Sequence, residues 1–145
     1  MTGSYDLDRM GIIMADIERY LRDFRELKIE RVGDLQDKKT FYAASMILFS
    51  LLNRVIDLGN EVVMAKSLGI PATYREIFTL LKNEGMIDAE TEKKFSRLIG
   101  YRNLLSHEYH GIQPADILAV VNLLDVPQAF VATVKAAVKR DTGNS

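Results

Sequence analysis

Phe41-Tyr42-Ala43-Ala44-Ser45-Met46-Ile47-Leu48-Phe49-Ser50-Leu51-Leu52 is the stretch that decides the fold. It is apolar on nearly every face, and no proline interrupts it before Pro71. A helix that is hydrophobic all round is buried on several sides. The spacing predicts one helix from Lys38 to Leu68, of roughly 45 Å at the standard rise per residue. That is long for a small domain. Either the helix kinks near Gly59, or another protomer covers its excess apolar surface. Asp37 is placed to cap its start. Gly69 is read as the C′ residue that ends it, with Pro71 blocking continuation.

Outward from this spine the chain reads as amphipathic helices. Met10, Ile13, Met14, Ile17, Leu21 and Phe24 recur at helical spacing, with Glu18, Arg19, Arg22 and Asp23 between them. Gly33 and Asp34 mark a break. Thr73-Tyr74-Arg75-Glu76 reads as a capping box opening a short helix through Leu81, which Gly85 stops. Asp88 caps a further helix carrying Phe95, Leu98, Ile99, Arg102 and Leu105. Pro114 suits the first position of a last helix, and Pro127 inside the same periodic run predicts a kink or short break. The expected fold class is all-α, an up-and-down bundle of about five helices. Residues 1–7 are read as a flexible N-terminus, 8–140 as a single helical domain and 141–145 as a flexible tail.

Composition bounds the function. The chain has 145 residues, the size of one ordinary domain. Nineteen basic and 20 acidic residues leave a net charge of −1, so a nucleic-acid partner needs a local patch, not a general basic surface. Cysteine is absent, which excludes disulfides, thiol catalysis and thiolate zinc sites and fits a reducing, cytoplasmic setting. The N-terminus shows no signal pattern, and no uninterrupted apolar run has the length of a membrane span. With two His residues, both close together, no metal centre rich in imidazole is expected.

One segment does not read as scaffold. Gly100-Tyr101-Arg102-Asn103-Leu104-Leu105-Ser106-His107-Glu108-Tyr109-His110-Gly111 gathers Arg, Asn, Ser, both His residues and two Tyr at the junction of two helices. On a straight helix Arg102 and His107 would stand about 140° apart around the axis. They would then be a solvated charge and a helix-end imidazole. If the helix ends around Ser106, His107 can swing back toward Arg102. Imidazole moves protons near neutral pH, and guanidinium grips a phosphate and stabilises transition-state charge. RNA supplies its own nucleophile in the 2′-OH. Asn103 either orients one of these groups or is a solvated amide. His110 is either a second acid–base group or an exposed loop imidazole. Asp57 and Glu61 share a helix face; one of them could orient Arg102, or both could be solvated or paired locally. Phe41, Tyr42 and Phe49 are read as core or dimer contacts.

Arg102-Asn103-Leu104-Leu105-Ser106-His107-Glu108-Tyr109 resembles the Arg-x-x-x-x-His-x-Tyr signature of HepT toxins, members of the HEPN superfamily. Arg54 to Leu81, with Ile56-Asp57, Pro71, Tyr74 and Phe78, is similar to the second helix and connection of that family. Gly85-Met86-Ile87 and the acidic capped helix that follows are similar too, so the likeness covers roughly residues 10–130. The resemblance implies a homodimeric all-α protein and a metal-independent endoribonuclease whose motifs meet at the dimer cleft. It implies Arg102, His107 and Asn103 as catalytic residues, with no cofactor. It implies an MNT-type nucleotidyltransferase antitoxin as partner, which transfers AMP from ATP onto Tyr109. On Tyr109, AMP would place bulk and negative charge two residues from His107. The alternative is a non-catalytic helical binding module that docks such a nucleotidyltransferase, a reading favoured by the near-neutral charge.

Overall fold

The computed structural model describes residues 4–107 and 111–143. Its elements are α1 (Leu7–Glu26), a 3₁₀ turn (Val32–Leu35), α2 (Lys38–Ala65), α3 (Tyr74–Asn83), α4 (Ala89–Leu105), α5 (Pro114–Val121) and α6 (Asp125–Thr142). The described residues contain no strand. The fold class is all-α, as the periodicity predicts.

Side chains set the helix starts. The carboxylates of Asp6, Asp37 and Asp88 accept from the N–H groups of Arg9, Thr40 and Thr91 at 3.1, 3.1 and 2.7 Å. Thr73 accepts from the Glu76 N–H at 3.1 Å. The Glu76 carboxylate reaches back past Thr73 to the N–H of Ala72, so the box closes one residue earlier than its sequence pattern implies.

Two helix ends differ from expectation. Helix α2 stops at Ala65, and its left-handed residue is Ser67 (φ 53°), not Gly69. The Leu68 N–H donates to the Val63 carbonyl at 3.0 Å and that of Ser67 to Met64 at 3.2 Å. These bonds, with Leu68 packed on the core, offset the strain of a non-glycine residue there. The last predicted helix is two, α5 and α6, and the break precedes Pro127. Leu123, Leu124 and Val126 donate three residues back, to Val120, Val121 and Leu123. Pro127 thereby falls in the first turn of α6, where a missing N–H costs no intrahelical bond.

The core forms around α2. Met10, Ile13, Ile17, Leu21 and Phe24 of α1 are buried, as are Leu48, Leu51, Leu52, Val55, Leu58 and Val62 of α2. Helix α2 runs unbroken through Gly59, where the hairpin of α3 and α4 docks. A Cβ at Gly59 would lie 2.9 Å from Ile77 Cγ2 and 3.3 Å from the Phe78 ring, so only glycine lets α3 approach this closely. Beside it Phe78 stacks on Phe95 at 4.1 Å, and Phe130 of α6 meets the Phe95 ring edge-on at 5.2 Å.

The first half of α2 is less enclosed than its composition suggests. Tyr42 and Met46 are 66% and 72% exposed, because α1 covers one side of this segment and no described residue covers the other. Lys38–Ala65 and Pro114–Thr142 are also long and apolar enough on average to cross a membrane, which a search for uninterrupted apolar runs does not detect. In this fold their apolar faces supply the bundle core.

The chain ends are joined. Helix α6 runs to Thr142, two residues into the stretch the sequence assigns to a tail. The Tyr5 hydroxyl donates to Asp141 Oδ2 at 2.6 Å, and Lys66 Nζ donates to the same oxygen at 3.0 Å. The hydrogen bond from Tyr5, then that from Lys66, holds the Asp141 carboxyl below its ordinary value. Burial, then the bond to Asp141, pushes the Tyr5 phenol up.

Two outcomes are expected. Phe95→Ala should lose about 3–5 kcal/mol, a large share of the roughly 5–15 kcal/mol of a typical domain, read from urea midpoints. Asp141 has a lowered folded pKa, so its stabilisation is complete above the unfolded value near 4 and is lost as pH falls through the folded value. Thermal melts of Asp141→Asn should therefore fall below wild type at about pH 7 and converge with it at about pH 2.

Candidate functional site

Arg102 sits in the last turn of α4, on the stripe that carries Phe95, Leu98 and Ile99 into the core. Its stem therefore points inward and its guanidinium emerges half-buried between α2 and α3. Nε donates to Asn53 Oδ1 at 2.8 Å and Nη1 to Asn103 Oδ1 at 3.2 Å. The guanidinium carbon lies 5.3 Å from the Phe49 ring centroid and 5.0 Å from that of Tyr74. Phe49 and Asn53 are one helical turn apart on α2, and Tyr74 opens α3. Three helices thus converge on one cation.

The chemistry of this clamp is specific. Among the described residues no carboxylate forms an ion pair with Arg102, although Arg9, Arg19 and Arg54 each have one. Neutral amide oxygens fix its position, and two π-faces stabilise its charge. No described carboxylate neutralises the guanidinium, and among the described residues no partner is recorded for its Nη2, a donor suited to a phosphate. Asp57 and Glu61 do not reach it. Glu61 is buried and bonded to Arg9 Nε at 2.9 Å, and Asp57 accepts from Arg54 at 3.2 Å.

Helix α4 ends where the functional reading requires. Ser106 is its cap: its N–H donates to the Arg102 carbonyl at 3.1 Å and its hydroxyl to the Asn103 carbonyl at 2.8 Å. The His107 N–H donates to the Leu104 carbonyl at 3.2 Å, a tightened last turn after which the helix stops. The separation of about 140° on a continuous helix then no longer binds His107. His107 is exposed immediately past the cap. The other two residues singled out in this segment, Tyr109 and His110, lie outside the described residues.

A cleft of about 700 Å³ opens beside the clamp, between α2, the connection from Pro71 to Thr73, α3 and α4. Tyr74 and Asn103 line it and also contact Arg102. Asn53 is the functional candidate that sequence reading missed. Its signal was legible: an amide one turn from Phe49 in a helix otherwise rich in Leu, Val and Ile. Tyr74 was read for the capping box around it, and Phe49 for core or dimer packing; neither reading foresaw a contact with Arg102.

Comparison with known proteins follows this geometry. A family profile described as "Ribonuclease HepT-like" matches residues 14–134. The mRNA nuclease HepT of Shewanella oneidensis is 28% identical over 129 residues, covering 85% of this chain and 93% of that protein. Among solved structures, the tri-AMPylated Shewanella oneidensis HEPN toxin in complex with MNT antitoxin superposes with a TM-score of 0.78 at 24% identity, covering 88% of this chain and 96% of that one. A cytosolic protein of unknown function from Bacillus subtilis, YutE, superposes with a TM-score of 0.84 at 17% identity, covering 99% and 96%. These likenesses show a shared fold. With the profile spanning most of its length, this chain belongs to the HepT-like family.

Proposed function

We propose that this protein is a metal-independent endoribonuclease toxin of a toxin–antitoxin pair. The observation that carries the reading is Arg102, held by amides and aromatic faces with no carboxylate partner among the described residues, five residues before His107. The name of the Shewanella relative, an mRNA nuclease, supports RNA as substrate. In the reaction the 2′-oxygen attacks the adjacent phosphorus and the bond to the 5′-oxygen breaks. The products are a 2′,3′-cyclic phosphate and a 5′-hydroxyl. One imidazole takes the 2′-OH proton and an imidazolium protonates the leaving oxygen. Arg102 stabilises the charge that develops on the phosphoryl oxygens. Asn103, bonded to Arg102, orients it.

A single protomer has one motif histidine, so the two proton transfers call for a homodimer that brings His107 and Arg102 of both copies into one cleft. The exposed Tyr42 and Met46 on α2 provide apolar surface for such an interface. The antitoxin is an MNT-type nucleotidyltransferase that adds AMP to Tyr109, the tyrosine of the resembled motif; that a tri-AMPylated Shewanella toxin is found in complex with MNT antitoxin supports a partner of this type. The added phosphate next to His107 repels RNA and silences the enzyme in the cytoplasm.

The purified protein should cleave RNA in the presence of EDTA, and His107→Ala should reduce cleavage by about 10²–10⁴-fold. Wild-type cleavage and growth arrest by His107→Ala would refute the mechanism. Sedimentation as a monomer at micromolar concentration would remove the composite site. Incubation with the nucleotidyltransferase, ATP and Mg²⁺ should add AMP units to the intact mass and abolish cleavage, and Tyr109→Phe should block both. No mass gain and no cleavage would leave a docking module. Asn53→Ala should lower kcat by roughly tenfold, and it should add little in an Arg102→Ala background, because the two residues act as one unit.

A further inference from the structure

The cleft beside the Arg102 clamp has no assigned occupant. Its floor is apolar, formed by Ile56, Ile77 and Ile99. Tyr74 forms one wall and is 43% exposed. The amides of Asn60 and Asn103, the carboxylate of Asp57 and Arg75, whose guanidinium donates to the Ser96 hydroxyl and carbonyl at 2.8 and 3.1 Å, also line it. A volume of about 700 Å³ is that of a small-molecule site.

These features select a ligand class. An apolar floor with an aromatic wall takes a flat ring, and amides at the rim pair with the polar edge of a heterocycle. A purely aliphatic ligand would leave the amides unpaired, which is costly. A second phosphate would meet the Asp57 carboxylate, and the Arg75 guanidinium that could attract one already donates to Ser96. Arg102, by contrast, lies next door: its guanidinium stands 5.0 Å from the Tyr74 ring and is bonded to Asn103. A ring in the cleft would therefore carry its attached phosphate toward the cation. Asp57 uses Oδ2 for Arg54, which leaves Oδ1 as an acceptor with no donor function. An acceptor at that position favours a base with an exocyclic amino group.

We infer that this cleft seats one nucleobase of the RNA, the base adjoining the phosphate held by Arg102, and that Asp57 and Asn60 select adenine, cytosine or guanine over uracil. The inference rests on the ribonuclease reading for its biological meaning, but binding tests it without catalysis. The probes are 3′-AMP, 3′-CMP, 3′-GMP, 3′-UMP and inorganic phosphate, titrated into the ¹⁵N-labelled full chain.

The amino-bearing nucleotides should shift the amide signals of Asn60 and Thr73 saturably, while phosphate alone should shift only those around Arg102, Asn103 included. Asn60→Ala should weaken 3′-CMP binding about fivefold, the loss of one hydrogen bond. Asp57→Asn should bring 3′-UMP to within about twofold of 3′-CMP, because an amide also offers a donor. Equal shifts from phosphate and nucleotides, or none at Asn60 and Thr73, would overturn the inference. Nucleotide binding in the cleft with no RNA cleavage would sink the ribonuclease reading and leave the base site standing. Cleavage without binding in the cleft would do the reverse.

Discussion

Helix α2 must bury apolar side chains toward several neighbours at once, and most of the structure follows from that constraint. Its Leu48, Leu51, Leu52, Val55, Leu58 and Val62 are all but inaccessible to water. Burial of side chains of this kind stabilises by about 1.5–3 kcal/mol each, before chain entropy is counted. Gly59 lets the hairpin of α3 and α4 dock against the same helix. The relative placement of Phe49, Asn53, Tyr74 and Arg102 is thus set by core packing rather than by a mobile loop. A site built on packed helices keeps its geometry before any substrate arrives.

The clamp on Arg102 also shows how a nearly neutral protein can offer a strong local cation. Arg9 pairs with Glu61, and Arg54 with Asp16 and Asp57, while Arg25 and Arg75 donate to the neutral groups of Gln128 and Ser96. The Arg9–Glu61 and Arg54–Asp16 pairs knit α1 to α2, the Arg54–Asp57 pair lies within α2, and all three cancel charge. Arg102 receives amide oxygens and ring faces instead, which orient a guanidinium without neutralising it. Net charge therefore says little about whether a phosphate has somewhere to bind.

The fold was legible in the sequence because its signals are local and redundant. The period agrees along α1, period and caps agree along α3 and α4, and the carboxylates of Asp37 and Asp88 cap where the pattern puts them, while the Asp6 cap of α1 was not foreseen. The departures have local causes. Ser67 replaced Gly69 as the left-handed residue because two backbone bonds and the packing of Leu68 outweigh the strain. The break before Pro127 followed from the preference of proline for a first turn. The site was legible only in part. Within one segment the sequence offered a helix stop at Ser106 as one of two alternatives, and only the resemblance singled out Arg102; α4 does end at Leu105 with Ser106 as its cap. The role of Asn53 could not be read, since its partner lies 49 positions away and only tertiary packing joins them. The amide in an apolar helix was a clue to a buried partner, without saying which one.

The choice of asparagine at position 53 has an evolutionary consequence. Asparagine and aspartate codons differ by a single nucleotide. Asn53→Asp would set a carboxylate 2.8 Å from Arg102 Nε, with almost no change of shape. The guanidinium would then carry an internal counterion that competes with every incoming phosphate. On the proposed reading, one point mutation would weaken phosphate binding at Arg102 while leaving the bundle intact.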